Sequence, residues 1–333
     1  MQKNNLLIEI VTEELPPLSQ KDLGEAFAKN IAQSILELKL IESLEYETFS
    51  SPRRIGVLVK QVLLSGDNEK RKIKLMPAKV GFREENKPSD ALIKKLDSMG
   101  EGLSSIKNLE LVEEKGQFNI YLEKSFDGKS LYVELPQIIN NSLAHLPIKK
   151  LMSYQLNDGW TTVNFVRPIK NILAVYGDKL VDLECMGLKS VMHTYGHRFE
   201  SKHDVLAIHD ASLYEKVLLT EGRVIASFSK RKEKIKTDLN EAVKKINNKF
   251  RAITDDKLLE EVTSLVEMPN ILIGEFENQY LEVPQECLIL TMQSNQKYFP
   301  ILNDQDELTN YFVIVSNINP KNSTNIIEGN EKV

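Results

Sequence analysis

The apolar residues of this chain switch repeatedly between two spacings, and the order of the switches limits the folds open to it. Leu6-Leu7-Ile8-Glu9-Ile10-Val11 is a nearly unbroken apolar run, as a strand buried on both faces requires. Thr12-Glu13-Glu14-Leu15-Pro16-Pro17 ends it, because two prolines cannot continue a ladder. Ser19 then reads as a helix cap with Asp22 in the capping-box position, and Leu23, Phe27, Ile31, Ile35 and Leu38 form one helical stripe. Tyr46 to Phe49, a turn at Ser50-Ser51-Pro52-Arg53-Arg54 and the alternating Ile55, Val57 and Val59 read as two strands.

Residues 66–90 are polar and basic and read as a loop or mobile hairpin, after which Ser89 opens a short helix to about Met99. Leu109 to Val112 and Phe118 to Leu122 form a hairpin around Lys115-Gly116. Leu131 to Leu146 reads as a helix with Pro136 near its first turn. Residues 150–200 read as β-rich, with Ile172 to Tyr176 the clearest strand. Beyond about 210 the spacing predicts a helix capped by Ser212, a strand at Val224–Phe228, and helices at 229–250, 258–266 and 284–295. Further strands fall at Ile271–Gly274 and Tyr311–Val315. Strands and helices interleave without a βαβ rhythm, so the expected class is α+β, multidomain, with mixed and antiparallel sheets and packed helices. The expected division is an α+β domain at 1–150, a β-rich segment at 151–210 and a second α+β domain at 211–333.

Bulk properties narrow the function. Hydrophobic residues make up 41% of the 333, enough for packed cores. The net charge is −5, so any nucleic-acid contact must use local patches. Two cysteines far apart, Cys185 and Cys287, make no disulfide framework and suit a reducing compartment. The N-terminus is too short and too charged for a signal peptide, and no run approaches the roughly 18 apolar residues of a membrane helix. The expectation is a cytoplasmic protein without a membrane partner. The abrupt Gly329-Asn330-Glu331-Lys332-Val333 reads as a cut inside a longer protein.

Catalytic motifs fail on chemistry. Gly128-Lys129-Ser130 invites a phosphate loop, but Glu123 stands where that motif needs glycine, and a carboxylate there repels phosphate. His193 and His197 are four apart, yet Thr194-Tyr195-Gly196 between them lacks the glutamate of a metalloprotease pair. His209-Asp210 matches the dipeptide of metal phosphohydrolases, but no helical histidine precedes it, and Asp210 reads better as a helix-start residue. No serine elbow, dinucleotide fingerprint or ATP-binding synthetase signature is written here, so no catalytic and no metal residue is assigned.

One surface stands out. Phe228 to Arg251 holds nine basic residues against three acidic ones, a local net charge of +6. Ile235, Leu239, Val243, Ile246 and Phe250 make its apolar face. Lys230, Arg231, Lys234 and Lys245 are its candidates for RNA phosphate; a solvated charged face is the other reading.

Several ordered strings carry a resemblance. They are Leu7-Ile8-Glu9-Ile10-Val11-Thr12-Glu13-Glu14-Leu15-Pro16-Pro17, Ser51-Pro52-Arg53-Arg54-Ile55, Phe165-Val166-Arg167-Pro168-Ile169 and Thr194-Tyr195-Gly196-His197-Arg198-Phe199. Leu259-Glu260-Glu261-Val262-Thr263-Ser264-Leu265-Val266-Glu267, Gln296-Lys297-Tyr298-Phe299 and the string at 329–333 follow. Together they resemble the beta subunit of bacterial heterotetrameric glycine–tRNA ligase, over its N-terminal half. Met152-Ser153-Tyr154 departs from an Arg-Trp pair common in that family, and Met268 from a Trp, so a contact made by that pair would be altered here.

The resemblance implies a division of labour. The alpha subunit, in an assembly of two alpha and two beta subunits, would use ATP and Mg to activate glycine. This chain would carry no cofactor and would hold glycine tRNA, without a role on DNA. Arg53, Arg54, Arg167, His197, Arg198 and Lys297 become the RNA-facing candidates, with Glu13, Glu14 and Glu267 as structural or interface residues. Tyr195, Phe199, Tyr298 and Phe299 could stack on unpaired bases, although Phe199 and Phe299 read better as core, and Arg167 and Arg198 could instead pair with Glu13, Glu14 or Glu267. The alternative is a scaffold that mainly docks the alpha subunit.

Overall fold

A computed structural model of the chain describes residues 3–83, 87–156, 158–319 and 329. The string at 330–333 lies outside them. Two compact units are present, residues 65–130 and the remainder.

The larger unit begins with β1 (Lys3–Thr12), α1 (Pro17–Glu37), β2 (Tyr46–Ser51) and β3 (Arg54–Leu63). α1 starts two residues before the expected Ser19 cap, because Pro17 supplies the fixed φ of a first helical residue and Pro16 stands as N-cap. The smaller unit follows: β4 (Glu69–Pro77), α2 (Ala78–Gly81), α3 (Asp90–Ser98), β5 (Leu109–Glu114) and β6 (Gln117–Phe126). Here the loop or mobile hairpin expected at 66–90 is corrected over Glu69–Pro77. β4 pairs antiparallel with β6, and Lys72 and Lys74 reach Glu110 and Glu114 on β5. The lysines that made the stretch look unstructured are cross-sheet partners of these glutamates.

The larger unit resumes with α4 (Leu131–Ala144), β7 (Met152–Gln155), β8 (Thr162–Phe165), β9 (Ile169–Tyr176) and β10 (Lys179–Leu180). Short strands follow at β11 (Glu184–Cys185), β12 (Leu188–Lys189), β13 (His193–Thr194) and β14 (Leu206–Ala207). Then come α5 (Tyr214–Thr220), α6 (Phe228–Ile246), β15 (Arg251–Ala252), α7 (Asp256–Leu265), β16 (Asn270–Glu275), α8 (Gln285–Thr291), β17 (Phe299–Leu302) and β18 (Leu308–Ser316). Val224 to Ser227 joins no ladder among the described residues and Phe228 opens α6, which corrects the strand expected at Val224–Phe228. Its backbone ties are isolated bonds, Val224 N–H to the Leu218 carbonyl, Ser50 N–H to that of Ala226 and Ile225 N–H to that of Glu267, and Ser227 then caps α6.

β1 runs at the centre of a five-stranded sheet of order β10-β9-β1-β3-β2. Pairings between these strands are antiparallel, and a parallel contact appears as the isolated bridge Leu173–Val191. Both faces of β1 are covered. Leu6, Ile8 and Ile10 pack with Leu23, Phe27, Ile31 and Ile35 of α1 and with Leu135 and Ile139 of α4. Leu7 faces Leu173, Leu206, Ile208, Tyr214 and Leu218. Burying each such side chain is worth roughly 1.5–3 kcal/mol. Glu9 lies in the same buried strand, opposite Gly56, where a Cβ would come 3.0 Å from the Ile8 carbonyl oxygen.

A second core joins Ile235, Leu239 and Val243 of α6 to Leu258 and Val262 of α7 and to Phe299, Ile301 and Val313. Among the described residues no helix is long and apolar enough to cross a membrane.

Candidate functional site

At one end of the sheet's inner strands lies a cleft where distant strings of the sequence meet. Backbone hydrogen bonds hold them together: Thr12 N–H to the Arg53 carbonyl (2.8 Å), Leu15 N–H to that of Pro52 (2.7 Å) and Glu13 N–H to that of Pro168 (3.0 Å). The loop after β13 is drawn in by His197 N–H bonding the Gly222 carbonyl at 2.7 Å. Gly196 makes that approach possible, since a Cβ would lie 2.7 Å from both Cα and O of Gly222. The resulting cleft holds about 280 Å³ and is lined by Pro16, Pro52, Arg53, Arg167, Arg198 and Phe199, among others. A second cleft of about 610 Å³ shares Arg53, His197, Arg198 and Phe199 and adds Lys170, Tyr195 and His203.

Behind these clefts lies a buried charge cluster. Arg54 is fully buried; its Nη1 donates to Glu9 Oε1 at 2.9 Å, Nη2 to the Tyr195 carbonyl at 2.8 Å and Nε to Ser51 Oγ at 3.0 Å. The Tyr214 hydroxyl donates to the same Glu9 oxygen. Burial alone would lower the Arg54 guanidinium, but Glu9, Tyr214 and Glu267 hold it above its ordinary value. Burial pushes the Tyr214 hydroxyl well up, reinforced by Glu9. Arg53, next in sequence, turns the other way: its Nη2 donates to Glu267 Oε2 and to the Gly196 carbonyl, both at 2.8 Å, and it lines both clefts. Burial raises the Glu267 carboxyl, yet Arg54 and Arg53 outweigh it and hold it below the usual range. Glu9 Oε2, Glu267 Oε1 and His197 Nε2 are buried without a hydrogen-bond partner among the described residues.

The expected RNA-facing residues therefore divide. Arg54 and His197 are buried, at 0% and 2% exposure: the Arg54 donors are taken inside the fold, and His197 reaches the cleft lining with almost none of its surface exposed. Arg231 is also at 0%: it donates to the carbonyls of Thr263, Ile225, Ser227 and Ser50 and to Gln20 Oε1, which ties α6 to α1, β2 and α7. Burial pulls its guanidinium down to about 9, still a cation at neutral pH. Arg167 stays at the cleft, anchored by Nε to the Glu14 carbonyl (2.9 Å) and Nη1 to that of Val166 (2.8 Å). Arg198 is half exposed and 3.8 Å from Glu13, which Lys170 also holds at 2.6 Å. Glu14 lines the smaller cleft.

Lys297, Lys230, Lys234 and Lys245 line neither of these clefts. Lys297 closes a π turn in the left-handed conformation and pairs with Glu261 at 3.0 Å. Lys230 pairs with Glu215 and Lys234 with Asp238, while Lys245 is exposed. Lys232, Lys249 and Arg251 also meet acids from outside the helix. The local charge of +6 is thus largely compensated in space.

Phe299 is core, as expected, and Tyr298 is buried against Phe312. Phe199 is not: it is 77% exposed beside Arg198. Glu9 and Tyr214 were not foreseen as site residues. A glutamate inside an apolar run covered on both faces was the available signal, since such a group is buried only with a partner. Among the described residues no three of His, Cys, Asp and Glu gather closely enough to hold a metal ion, and Asp210 accepts the Ser212 N–H as a turn cap. Cations, prolines and an exposed ring equip the cleft to bind an anion joined to a flat group.

The sequence model of the family described as "Glycyl-tRNA synthetase beta subunit" matches residues 6–333. A glycine–tRNA ligase beta subunit of Janthinobacterium sp. (strain Marseille) is 44% identical over 334 residues, covering 100% of this chain and 48% of that protein. That of Thiobacillus denitrificans is 42% identical over 334 residues, covering 100% and 47%. That of Methylobacillus flagellatus is 40% identical over 339 residues, covering 99% and 48%. The chain spans about half the length of these curated relatives. With nearly its whole length matched in order, the chain belongs to the glycyl-tRNA synthetase beta subunit family.

Proposed function

We propose that this chain is a non-catalytic, tRNA-holding part of a glycine–tRNA ligase, whose alpha subunit charges tRNA with glycine using ATP and Mg. The observation that carries the reading is the meeting of Arg53, Arg167 and Arg198 at one cleft with Phe199 exposed beside them. Guanidinium groups at such a cleft suit phosphate, whose contacts position RNA without reading sequence. The test is a gel shift of the chain with glycine tRNA across a salt series. Binding should weaken as salt rises, and Arg167→Ala with Arg198→Ala should weaken it further. No binding at low ionic strength sinks the reading.

Docking of the alpha subunit is the second reading. It is favoured by the β7–β8 hairpin, where Trp160 is 90% exposed and Leu151 and Met152 are 59% and 40% exposed. Co-purification of alpha with this chain, lost in Trp160→Ala, is its measurement.

A further inference from the structure

The exposed ring beside the cleft narrows the kind of RNA element that fits. Phe199 does not sit on a slack loop. Its N–H donates to His197 Nδ1 at 3.2 Å, the His197 N–H is fixed on Gly222, and Ser201 N–H returns to the His197 carbonyl at 3.1 Å. The His197 ring lies 6.2 Å from the Phe199 ring, tilted by 59°. An aromatic ring is thus held by a tied backbone with most of its surface in water, although burial would gain free energy. Most other phenylalanines of the larger unit are core, among them Phe27, Phe49, Phe165 and Phe299.

The neighbours supply charge and size. Arg198 adjoins the ring in sequence, and Arg167 and Arg53 line the same cleft. The two clefts that share Phe199 and Arg198, about 280 and 610 Å³, are of the size of small-ligand sites, roughly 300–1,000 Å³. That admits one base and not a double helix. A paired base keeps its flat face inside the helical stack, so only an unpaired one can offer it to a protein ring. A phosphate beside that base would meet guanidinium groups.

We propose that this cleft takes one unpaired nucleotide of the bound RNA, its base stacked on Phe199 and its phosphate held by Arg198 and Arg167. The inference rests on the tRNA-holding reading above and specifies its site.

The experiment measures binding of the full chain to three probes: glycine tRNA, a short single-stranded oligoribonucleotide, and a blunt RNA duplex of the same length. Phe199→Ala should weaken binding of tRNA and of the single strand roughly 5- to 150-fold, the range for loss of one base stack. It should leave the slope of affinity against salt unchanged, because no charge is removed. Phe199→Trp should restore binding and Phe199→Leu should not. Arg198→Ala should lower the salt slope by about 0.7–0.9, one phosphate contact. The duplex should bind weakly and ignore Phe199→Ala. Far-ultraviolet circular dichroism should be the same for all variants, since the ring is exposed. If Phe199→Ala binds like the parent while Arg198→Ala still weakens binding, the nucleotide pocket is overturned and the tRNA-holding reading stands. Equal binding of duplex and single strand also overturns the pocket. If no probe binds at low salt, both fall together.

Discussion

Arg54 and Arg198 stand in two of the family strings and carry the same charge, yet one is engaged wholly by the protein and the other stands half exposed at a cleft. The contrast runs through the region. Beneath the cleft, Arg54 and Arg231 find acceptors for several donors inside the fold, and neither has exposed surface. At the edge, Arg167 and Arg198 keep surface open to a ligand. A motif arginine is therefore not evidence of a nucleic-acid contact until its acceptors are counted. On the proposed reading the inner set fixes the geometry and the outer set meets the RNA, so substitutions in the two should fail in different assays.

The largest effect should come from Arg54→Ala. It leaves Glu9, fully buried, with only the Tyr214 hydroxyl, and breaking a buried pair from one side costs roughly 3–5 kcal/mol. Urea unfolding should show this, and Arg54→Lys should rescue little, because an ammonium cannot reproduce the fork to Glu9, Ser51 and Tyr195. A loss below about 1 kcal/mol would break the distinction between inner and outer arginines. Next is Arg231→Met. The apolar stem is kept, but the buried carbonyls of Thr263, Ile225 and Ser50 lose a donor, which costs roughly 1–3 kcal/mol.

Much of the scaffold was legible from the residues alone, because its signals are periodic. β1, α1 and β3 follow directly from the run at Leu6–Val11, the stripe through Leu23 and Ile35, and the alternation from Ile55. β4 was hidden because its lysines are neutralised by glutamates some forty residues away, and spacing within one strand does not show that. At the site, the strings named the segments that meet but not which way each side chain points. Arg53 and Arg54 are adjacent, and only the antiparallel pairing of Arg54 with Val11 sends one inward. Phe199 read as core because an exposed phenylalanine is unfavourable without a partner, and the ties to Gly222 that hold it out are long-range.

A smaller effect sharpens the link between the two sets. Glu267 joins Arg53 at the cleft to Arg54 inside. Its carboxyl is held below the ordinary value in the folded chain, so its stabilisation is complete above the unfolded value, near pH 4.5, and is lost as pH falls through the folded one. Glu267→Gln should cost about 1 kcal/mol at neutral pH and make the acid decline of stability shallower than in the parent. A parallel decline would mean that other carboxyls set the acid limit.

The smallest effect concerns α6, whose outward lysines separate surface charge from a built site. Lys244 and Lys245 are exposed in its last turn, where they favour the helix dipole by only a few tenths of a kcal/mol. Several other cations of that helix and the residues just after it already face Glu215, Glu260, Asp304 and Asp306. Lys244→Ala with Lys245→Ala should therefore change stability by no more than about 0.5 kcal/mol. Because neither lysine lines the cleft, tRNA affinity should move less than about twofold, since a loss of one full phosphate contact would show in the salt slope. A drop in that slope of about 1.5 for the pair would place RNA along α6 as well, and the cleft would then be one contact on a longer track.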